Sequence, residues 1–348
     1  MKKILPIIVL SVGIPALIIC GLFWWKQQNK QHGNGFVRSI QMNAVAAAGS
    51  CMLDNDTYYI AGLTKDHIFL CNYANPEDLL GLDYTRLHKK RLHLFIPQQI
   101  KIAWRMLKCA LLNDQIVAYE GQVPNIFEGK LQDRLLNRLP VEGPRFDVLS
   151  PLSAGSYALR QYDPATGFLT LSKKSVVSGR QSAPLSLGNQ QDGVFSVDGY
   201  LGYDASAAQV VYTFSYRNQF ICLDTNMQVI SRCRTIDTFA HAVLRIDTIA
   251  SKNKTMLSAP PLLVNKRCSV DHNVLFIHSA LMADNEKGAS FEQAPVIDMY
   301  TVPCGQYKGS FYLFPSGSNH LSDLKVFHNY LVTIQDKTLR VYHLSDAL

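Results

Sequence analysis

Short apolar runs that recur in pairs constrain the fold of this chain more than any other feature. From residue 36 onward, runs rich in Val, Ile, Tyr and Phe alternate with clusters of Gly, Asn, Asp, Ser and Pro, which is typical of strands separated by turns. Three clear strand pairs occupy residues 57–71, 209–223 and 329–344. We count about twenty such runs, against one stretch, residues 99–111, whose pattern predicts a helix. An all-β fold is therefore expected.

Strand pairs that recur at intervals of about 40–50 residues are typical of a β-propeller built from four-stranded blades. The sequence predicts a six- or seven-bladed β-propeller over residues 36–348, although the signature residues of WD and kelch repeats are missing. A propeller must join its last blade to its first, or leave sheet edges open. We expect residues 36–42 to close the ring by pairing with the C-terminal strand at residues 339–344.

The N-terminal region predicts a transmembrane helix that precedes the propeller. Residues 4–25 carry no charge, and a helix of that length crosses a hydrocarbon core. We assign residues 1–26 to the anchor with a short flank and residues 27–35 to a linker. Two alternatives stay open. A cleaved signal peptide is disfavoured by the bulky Trp24 and Trp25, and a lipoprotein signal before Cys20 is disfavoured by Ile19.

The positive charge of the chain belongs largely to the flanks of this segment. The formal net charge is +7, and Lys2, Lys3, Lys26 and Lys30 leave +3 for the rest. That is a weak field for a large domain, so no nucleic-acid partner is expected. Two lysines lie on each side of the apolar segment, so the lysines alone do not set its orientation. The positive charge of the amino-terminus favours a cytoplasmic position for the short N-terminal tail. The expected location is the cytoplasmic (inner) membrane, with a single pass and the body on the periplasmic side.

Cysteine spacing indicates neither a metal site nor a disulfide framework. The eight cysteines show no CxxC and no paired spacing of the zinc-site kind. Seven of them lie in the body, so complete internal pairing is impossible. Cys222 and Cys233 flank one turn, but the expected register does not place them opposite each other, and a disulfide there is not favoured. No motif for a cofactor is present, so the cofactor is unknown.

Five segments resemble an uncharacterised family of membrane-anchored bacterial envelope proteins with a β-propeller-like body. They are residues 57–62 (TYYIAG), 215–220 (SYRNQF), 235–238 (TIDT), 260–266 (PPLLVNK) and 310–314 (SFYLF). The resemblance covers most of the chain. It implies an N-terminal anchor and a propeller, and it carries no catalytic residues over to this sequence.

One group of candidate ligand-binding residues lies where strands end. Arg217 and Asn218 occupy a predicted hairpin turn, while Asp237 and the pair Asn265 and Lys266 end neighbouring runs. These residues are expected at one mouth of the propeller, where a charged funnel binds ligands. Exposed turns or satisfied buried polar groups are the alternative, which we favour, and Arg217 is the best single candidate.

Two further candidates are Asp192 and Asp198, each followed by glycine. Carboxylates on propeller loops bind calcium or act as acid and base. Asp-Gly pairs also make hairpin turns, and the spacing of a calcium loop is absent, so the turn interpretation is favoured.

A basic cluster between Arg86 and Lys108 is interpreted as a solvated face, with anionic headgroups or an acidic partner surface as alternatives.

The leading functional hypothesis is a non-catalytic binding or scaffold module, held at the membrane so that its funnel or rim meets another envelope protein or a ligand. The rival hypothesis is a propeller enzyme, either a calcium-dependent hydrolase or a quinone-linked dehydrogenase. Bound metal or cofactor in the purified protein would favour the enzyme.

Overall fold

Six four-stranded antiparallel sheets form a β-propeller in the part of the chain that the structure describes. The computed structural model describes residues 13–15, 17–22, 24, 33–97, 100–176, 178–249, 254–314 and 319–345. The innermost strands of the six sheets contact one another in sequence around a complete ring. The prediction of an all-β propeller is therefore confirmed, and the number of blades is six.

The blades follow one another along the chain, and each is described from the channel outward. Blade 1 contains β2 (Tyr58–Leu63), β3 (His67–Asn72), β4 (Asp78–Asp83) and β5 (Lys89–His93); blade 2 contains β6 (Lys108–Leu112), β7 (Gln115–Glu120), β8 (Asn125–Lys130) and β9 (Asn137–Leu139); blade 3 contains β10 (Phe146–Ser153), β11 (Ser156–Tyr162), β12 (Leu169–Ser175) and β13 (Leu185–Ser186). Blade 4 contains β14 (Gly199–Asp204), β15 (Gln209–Phe214), β16 (Gln219–Asp224) and β17 (Val229–Arg234); blade 5 contains β20 (Asn265–Asp271), β21 (Val274–Ser279), β22 (Val296–Thr301) and β23 (Tyr307–Tyr312); blade 6 contains β24 (Asp323–Phe327), β25 (Tyr330–Gln335), β26 (Thr338–Leu344) and β1 (Val45–Met52). A hairpin of β18 (Ile246–Ile249) and β19 (Lys254–Leu257) is inserted between blades 4 and 5, and a short helix, α1 (Gly288–Gln293), follows β21.

The ring is closed by β1, and the segment predicted for this role is wrong. β1 pairs antiparallel with β26 in a register from Val45↔Leu344 to Met52↔Thr338. Residues 36–42 instead reach blade 5, where Ile40 forms a parallel bridge with Ser310 of β23. An N-terminal strand does complete the C-terminal sheet, but it is the next segment along the chain.

The core consists of apolar layers between neighbouring blades. Successive side chains of a strand point to opposite faces of the sheet, so β3 sends Ile68 and Leu70 towards blade 6 and Phe69 and Cys71 towards blade 2. Both faces of the middle strands are covered, which explains why they read as continuous apolar runs. One cluster of buried residues fills each of the six spaces between blades.

The two ends of the channel differ because of the strand order. Within an antiparallel blade, the innermost strand begins at one end of the channel. The loop between the second and third strands lies at that same end, and so does the connection to the next blade. We call this the mouth end, and the opposite end the turn end. The inserted hairpin and α1 both lie in mouth-end connections.

The predicted helix at residues 99–111 is wrong within the described residues. A 3-10 turn at Trp104–Met106 is followed by β6, in which Cys109 and Leu111 are buried and alternate with less buried neighbours. Ile100, Ile102 and Trp104 precede the strand and pack against the layer between blades 1 and 2. Their spacing imitated a helical face because a packed loop runs directly into a strand.

Most of the predicted anchor lies outside the described residues. Residues 13–15, 17–22 and 24 are helical, with Leu17 and Trp24 exposed. Among the described residues, no helix has the length and apolar character needed to cross a membrane.

Residues 33–42, which we call the strap, bind blade 5. Asn34 Nδ2 donates to Met282 O at 2.7 Å, and the amide of Asp284 donates to Phe36 O at 2.9 Å. Phe36 is buried in a small apolar cluster with Val264 and other residues of the mouth end. The start of the strap is therefore held beside the mouth-end loops of blade 5.

Candidate functional site

Four side chains from four blades form a charged and aromatic group at the mouth end of the channel, and Lys266 directly precedes one of them in the chain. We call Tyr73, Tyr200, Lys266, Arg267 and Asp323 the mouth cluster. Arg267 Nη1 donates to Tyr200 Oη at 2.8 Å, and Arg267 Nε donates to Ser322 O at 2.7 Å. Arg267 thereby links blades 4, 5 and 6. Two cations, two phenols and one carboxylate suit an acidic ligand that also offers a flat or apolar surface.

Asp323 and Tyr73 complete the cluster from blades 6 and 1. Asp323 Oδ2 accepts from the amide of Ile60 at 2.7 Å. Burial raises the pKa of Asp323, with Lys325 opposing this effect. Burial also raises the pKa of Tyr73; the Asp323 carboxylate adds to the rise and the Arg267 cation opposes it. The Tyr73 side chain nevertheless remains 49% exposed, so it is open to a ligand.

Lys266 is the cation of the mouth cluster with least compensation. Its side chain is half-buried, and none of the described carboxylates forms an ion pair with it. Burial lowers its pKa. The neighbouring His278 is buried, and its Nδ1 has no hydrogen-bond partner among the described groups. Burial, followed by the charges of Lys266 and Arg267, holds the pKa of His278 well below its usual value. An excess of positive charge therefore surrounds the start of β20.

A second polar network joins blades 3 and 4. Arg160 donates to both carboxylate oxygens of Asp147 at 2.9 and 2.7 Å, and to Asp198 at 2.7 Å. It also donates to Tyr212 Oη and to Gly199 O, both at 2.9 Å. The guanidinium is matched by two carboxylates and is almost fully buried. This network holds two blades together and commits the Arg160 guanidinium mainly to acceptors within the protein.

The structure brings together four of the residues predicted for a ligand funnel. Asn218 Nδ2 donates to Asp237 O at 2.5 Å, and Asn265 Nδ2 donates to Arg217 O at 3.2 Å. All four lie at the mouth end between blades 4 and 5, and all four are buried. Most of their bonds run to backbone groups of this joint. Lys266 directly follows Asn265 and precedes Arg267 of the mouth cluster. A ligand-binding role for these residues stays a prediction.

Arg217 is buried against its own blade. Nη1 donates to Gly188 O at 3.0 Å and Nη2 to Leu187 O at 2.8 Å, while the guanidinium carbon lies 3.7 Å from the centre of the Phe214 ring. Burial lowers the pKa of Arg217 to about 10. These contacts pin the loop before β14 to the loop between β15 and β16.

We expect Arg217→Ala to destabilise the protein more than it changes binding at the mouth. The substitution leaves two loop carbonyls without donors and exposes the Phe214 ring, which should cost about 2–4 kcal/mol. Arg234→Ala, at an exposed position on β17, is the matched control and should change stability by less than about 0.5 kcal/mol. Urea unfolding of both variants measures this. Unchanged stability of Arg217→Ala, together with lost ligand binding, would restore its role as a ligand contact.

Asp192 and Asp198 serve different purposes. Asp192 Oδ1 accepts from the amides of Val194 and Phe195, at 2.7 and 2.5 Å, and so caps its own loop. Asp198 lies before β14 and pairs with Arg160. The two carboxylates are thus committed to a loop and to an ion pair. Within the described part of the chain, no group of three or more His, Cys, Asp or Glu side chains is arranged to hold a metal ion.

The basic cluster between Arg86 and Lys108 extends from the outer edge of blade 1, through the connection to blade 2, to the start of the innermost strand β6. Lys89 and Arg91 lie on β5, the outermost strand, and both contact Asp54. Charged side chains on an exposed edge strand discourage pairing with other chains. The favoured interpretation as a solvated face is consistent with this arrangement.

Comparison with solved structures supports the fold. A member of the DUF4221 family from Bacteroides vulgatus ATCC 8482 is similar to this chain with a TM-score of 0.51 at 12% identity, over 86% of this chain and 97% of that one. The WD40 β-propeller domain of Doa1 gives a TM-score of 0.45 at 10% identity, over 88% of this chain and 99% of that one. No family model matches the chain, and no curated protein matches it in sequence. Similarity at these identities concerns the fold alone.

Proposed function

We propose that this protein is a membrane-anchored, extracytoplasmic β-propeller that binds another envelope protein or a ligand at its channel mouth, without catalysis. The observation that carries this proposal is the half-buried, uncompensated Lys266 beside Arg267. Removing a cation from water is costly unless an anion is supplied. A carboxylate or phosphate group on the partner supplies it, and such charge-assisted hydrogen bonds are among the stronger ones.

The strap supports a mouth that stays near the membrane. Gly35 N contacts the Asp284 carboxylate at 3.1 Å on a mouth-end loop of blade 5. If residues 1–26 are the anchor, seven residues (27–33) separate it from Asn34, the first strap residue bonded to blade 5. Seven residues span at most about 25 Å. Tethering at that distance raises the effective concentration towards a membrane partner, so modest affinity suffices.

We expect the full-length protein to remain with the membrane fraction after alkaline and high-salt washing. The tie is hydrophobic in this proposal, and neither treatment weakens such a tie as it does an electrostatic one. The control is the same chain without residues 1–32, which should appear in the supernatant. Release of the full-length chain by salt alone would contradict the anchor. It would not contradict the proposal that the mouth binds a partner.

We expect Lys266→Glu to reduce recovery of the partner in a pull-down from solubilised membranes by at least about tenfold, because it replaces attraction for an acidic group by repulsion. Lys90→Glu makes the same charge change at an exposed position on β5 and should leave recovery unchanged. Equal recovery with both variants would place the partner away from the mouth. Stoichiometric metal or a quinone cofactor in the purified protein would favour the enzyme instead.

A further inference from the structure

Three cysteines lie close together where blade 4 meets blade 5. Cys222 is on β16, Cys233 is on β17, and Cys304 is in the turn between β22 and β23. Cys222 is buried, Cys233 is half-buried and Cys304 is exposed, and all three are free thiols. The thiols therefore form a series that runs from the surface towards the core.

Cys233 touches the residues on both sides of Cys304. Its Sγ lies 3.3 Å from Pro303 O, and Ser231 Oγ donates to the same carbonyl at 2.5 Å. Gly305 adopts φ +75°, and a Cβ there would come within 2.6 Å of Cys233 Sγ. Because Pro303 O and the Cα of Cys304 belong to one peptide unit, standard dimensions place that Cα within about 6 Å of Cys233 Sγ. A disulfide then requires rotation of side chains rather than movement of a blade.

The two thiols differ in access and in reactivity. Cys304 Sγ lies 2.8 Å from Thr301 Oγ1. Hydrogen bonds from this hydroxyl and from the amide of Gln306 lower the pKa of the Cys304 thiol. The thiolate is the nucleophile in thiol chemistry, and Cys304 is solvent-exposed. Burial raises the pKa of Cys222 to about 12, so that thiol does not start the reaction.

We propose that Cys304 and Cys233 form a reactive dithiol site whose substrate is a disulfide. The Cys304 thiolate attacks one sulfur of an external disulfide; the other half leaves as a thiolate and takes up a proton. Cys233 then loses its proton and attacks Cys304 Sγ, which expels the second half as a thiol. Two protein thiols are oxidised to one disulfide, and the external disulfide is reduced to two thiols.

The bond links the outer strand of blade 4 to the turn of blade 5. Its formation depends on neither the anchor nor a partner at the mouth. Cys222 is the competing partner for Cys233, but Cys233 is paired with Phe220 and Cys222 with Ser231. The two cysteines are diagonal rather than opposite, but their thiols are close enough for a hydrogen bond, which adds to the raised pKa of Cys222. Because the Cys222 thiol is buried and its pKa is raised, it stays protonated and does not compete as the attacking thiolate.

The test treats the folded full-length protein with oxidised glutathione, blocks remaining thiols with iodoacetamide, and maps linked peptides by mass spectrometry without reduction. We expect a Cys233–Cys304 linkage in the wild type. Cys233→Ser should accumulate glutathione on Cys304 to at least about tenfold the wild-type level, because the resolving thiol is missing. Cys304→Ser should show neither product. Cys51→Ser, which changes a half-buried thiol on β1, should behave as the wild type.

Three results would overturn the proposal. The first is stable glutathione on wild-type Cys304 at the level of Cys233→Ser, with no linked peptide. The second is a Cys222–Cys233 linkage in place of the expected one. The third is an absence of reaction at Cys304 in the folded wild type. Because the linkage is sought in the wild type, the proposal can fail even where a serine variant folds poorly.

Discussion

Deleting residues 1–52 should leave a chain that does not fold to a stable monomer, whereas deleting residues 1–43 should leave one that still unfolds cooperatively. The longer deletion removes β1, which pairs with β26 along the whole of blade 6. Each backbone hydrogen bond contributes about 1 kcal/mol, and the ladder therefore contributes several of the roughly 5–15 kcal/mol that stabilise a domain. The open edge of β26 would also invite association with other chains.

Size-exclusion chromatography and thermal unfolding measure this difference. Deletion of residues 1–32, which keeps both the strap and β1, is the control and should match the wild-type body. The shorter deletion loses the strap and should melt at a lower temperature than the control. A monomer that lacks residues 1–52 and melts at the control temperature would show that β1 does not close the ring.

Arg38→Met should destabilise the protein by about 3–5 kcal/mol, because it removes the cation that pairs with two buried carboxylates. Arg38 Nε and Nη2 donate to Asp298 at 2.7 and 3.0 Å, and Nη1 pairs with Glu286. The side chain of Arg38 is completely buried, and those of Asp298 and Glu286 are 5% and 3% exposed. Removing the cation leaves both carboxylates unpaired or forces them to take up protons.

The matched control is Arg91→Met. Arg91 also pairs with a carboxylate, that of Asp54, but at an exposed position on the edge of blade 1. Exposed ion pairs contribute about 0–1 kcal/mol, so this variant should unfold close to the wild type in urea. Equal effects of the two substitutions would mean that the strap is not held by its buried ion pairs.

The repeating strands were predictable because their signal is local. In the pair β15 and β16, two apolar runs flank a polar turn. The structure has both strands where this pattern indicates them. β1 gives no such signal, because its sequence is rich in Ala and Gly, which have low preference for strands. It is a strand because β26 offers an unpaired edge, and that edge exists only once the ring has formed.

The mouth cluster was largely hidden for the same reason. Lys266 was a candidate because it ends an apolar run, but Arg267 next to it was not. Tyr73, Tyr200 and Asp323 are separated from Arg267 by tens to hundreds of residues, and only closure of the ring brings four blades to one point. Arg217 and Asn218 are recognisable as turn residues from the sequence. Their burial depends on distant segments: Arg217 contacts the loop before β14, and Asn218 contacts the segment after β17.

The central claim is that the channel mouth binds an envelope partner, and photo-crosslinking in intact membranes tests it most directly. A photoreactive phenylalanine replaces Tyr73, half-exposed in the mouth cluster, or Asn329, exposed at the turn end between β24 and β25. We predict a discrete crosslinked partner from position 73, none from position 329, and loss of the product when Lys266→Glu is added. A crosslink of equal yield from position 329, or one from position 73 that survives Lys266→Glu unchanged, would contradict it.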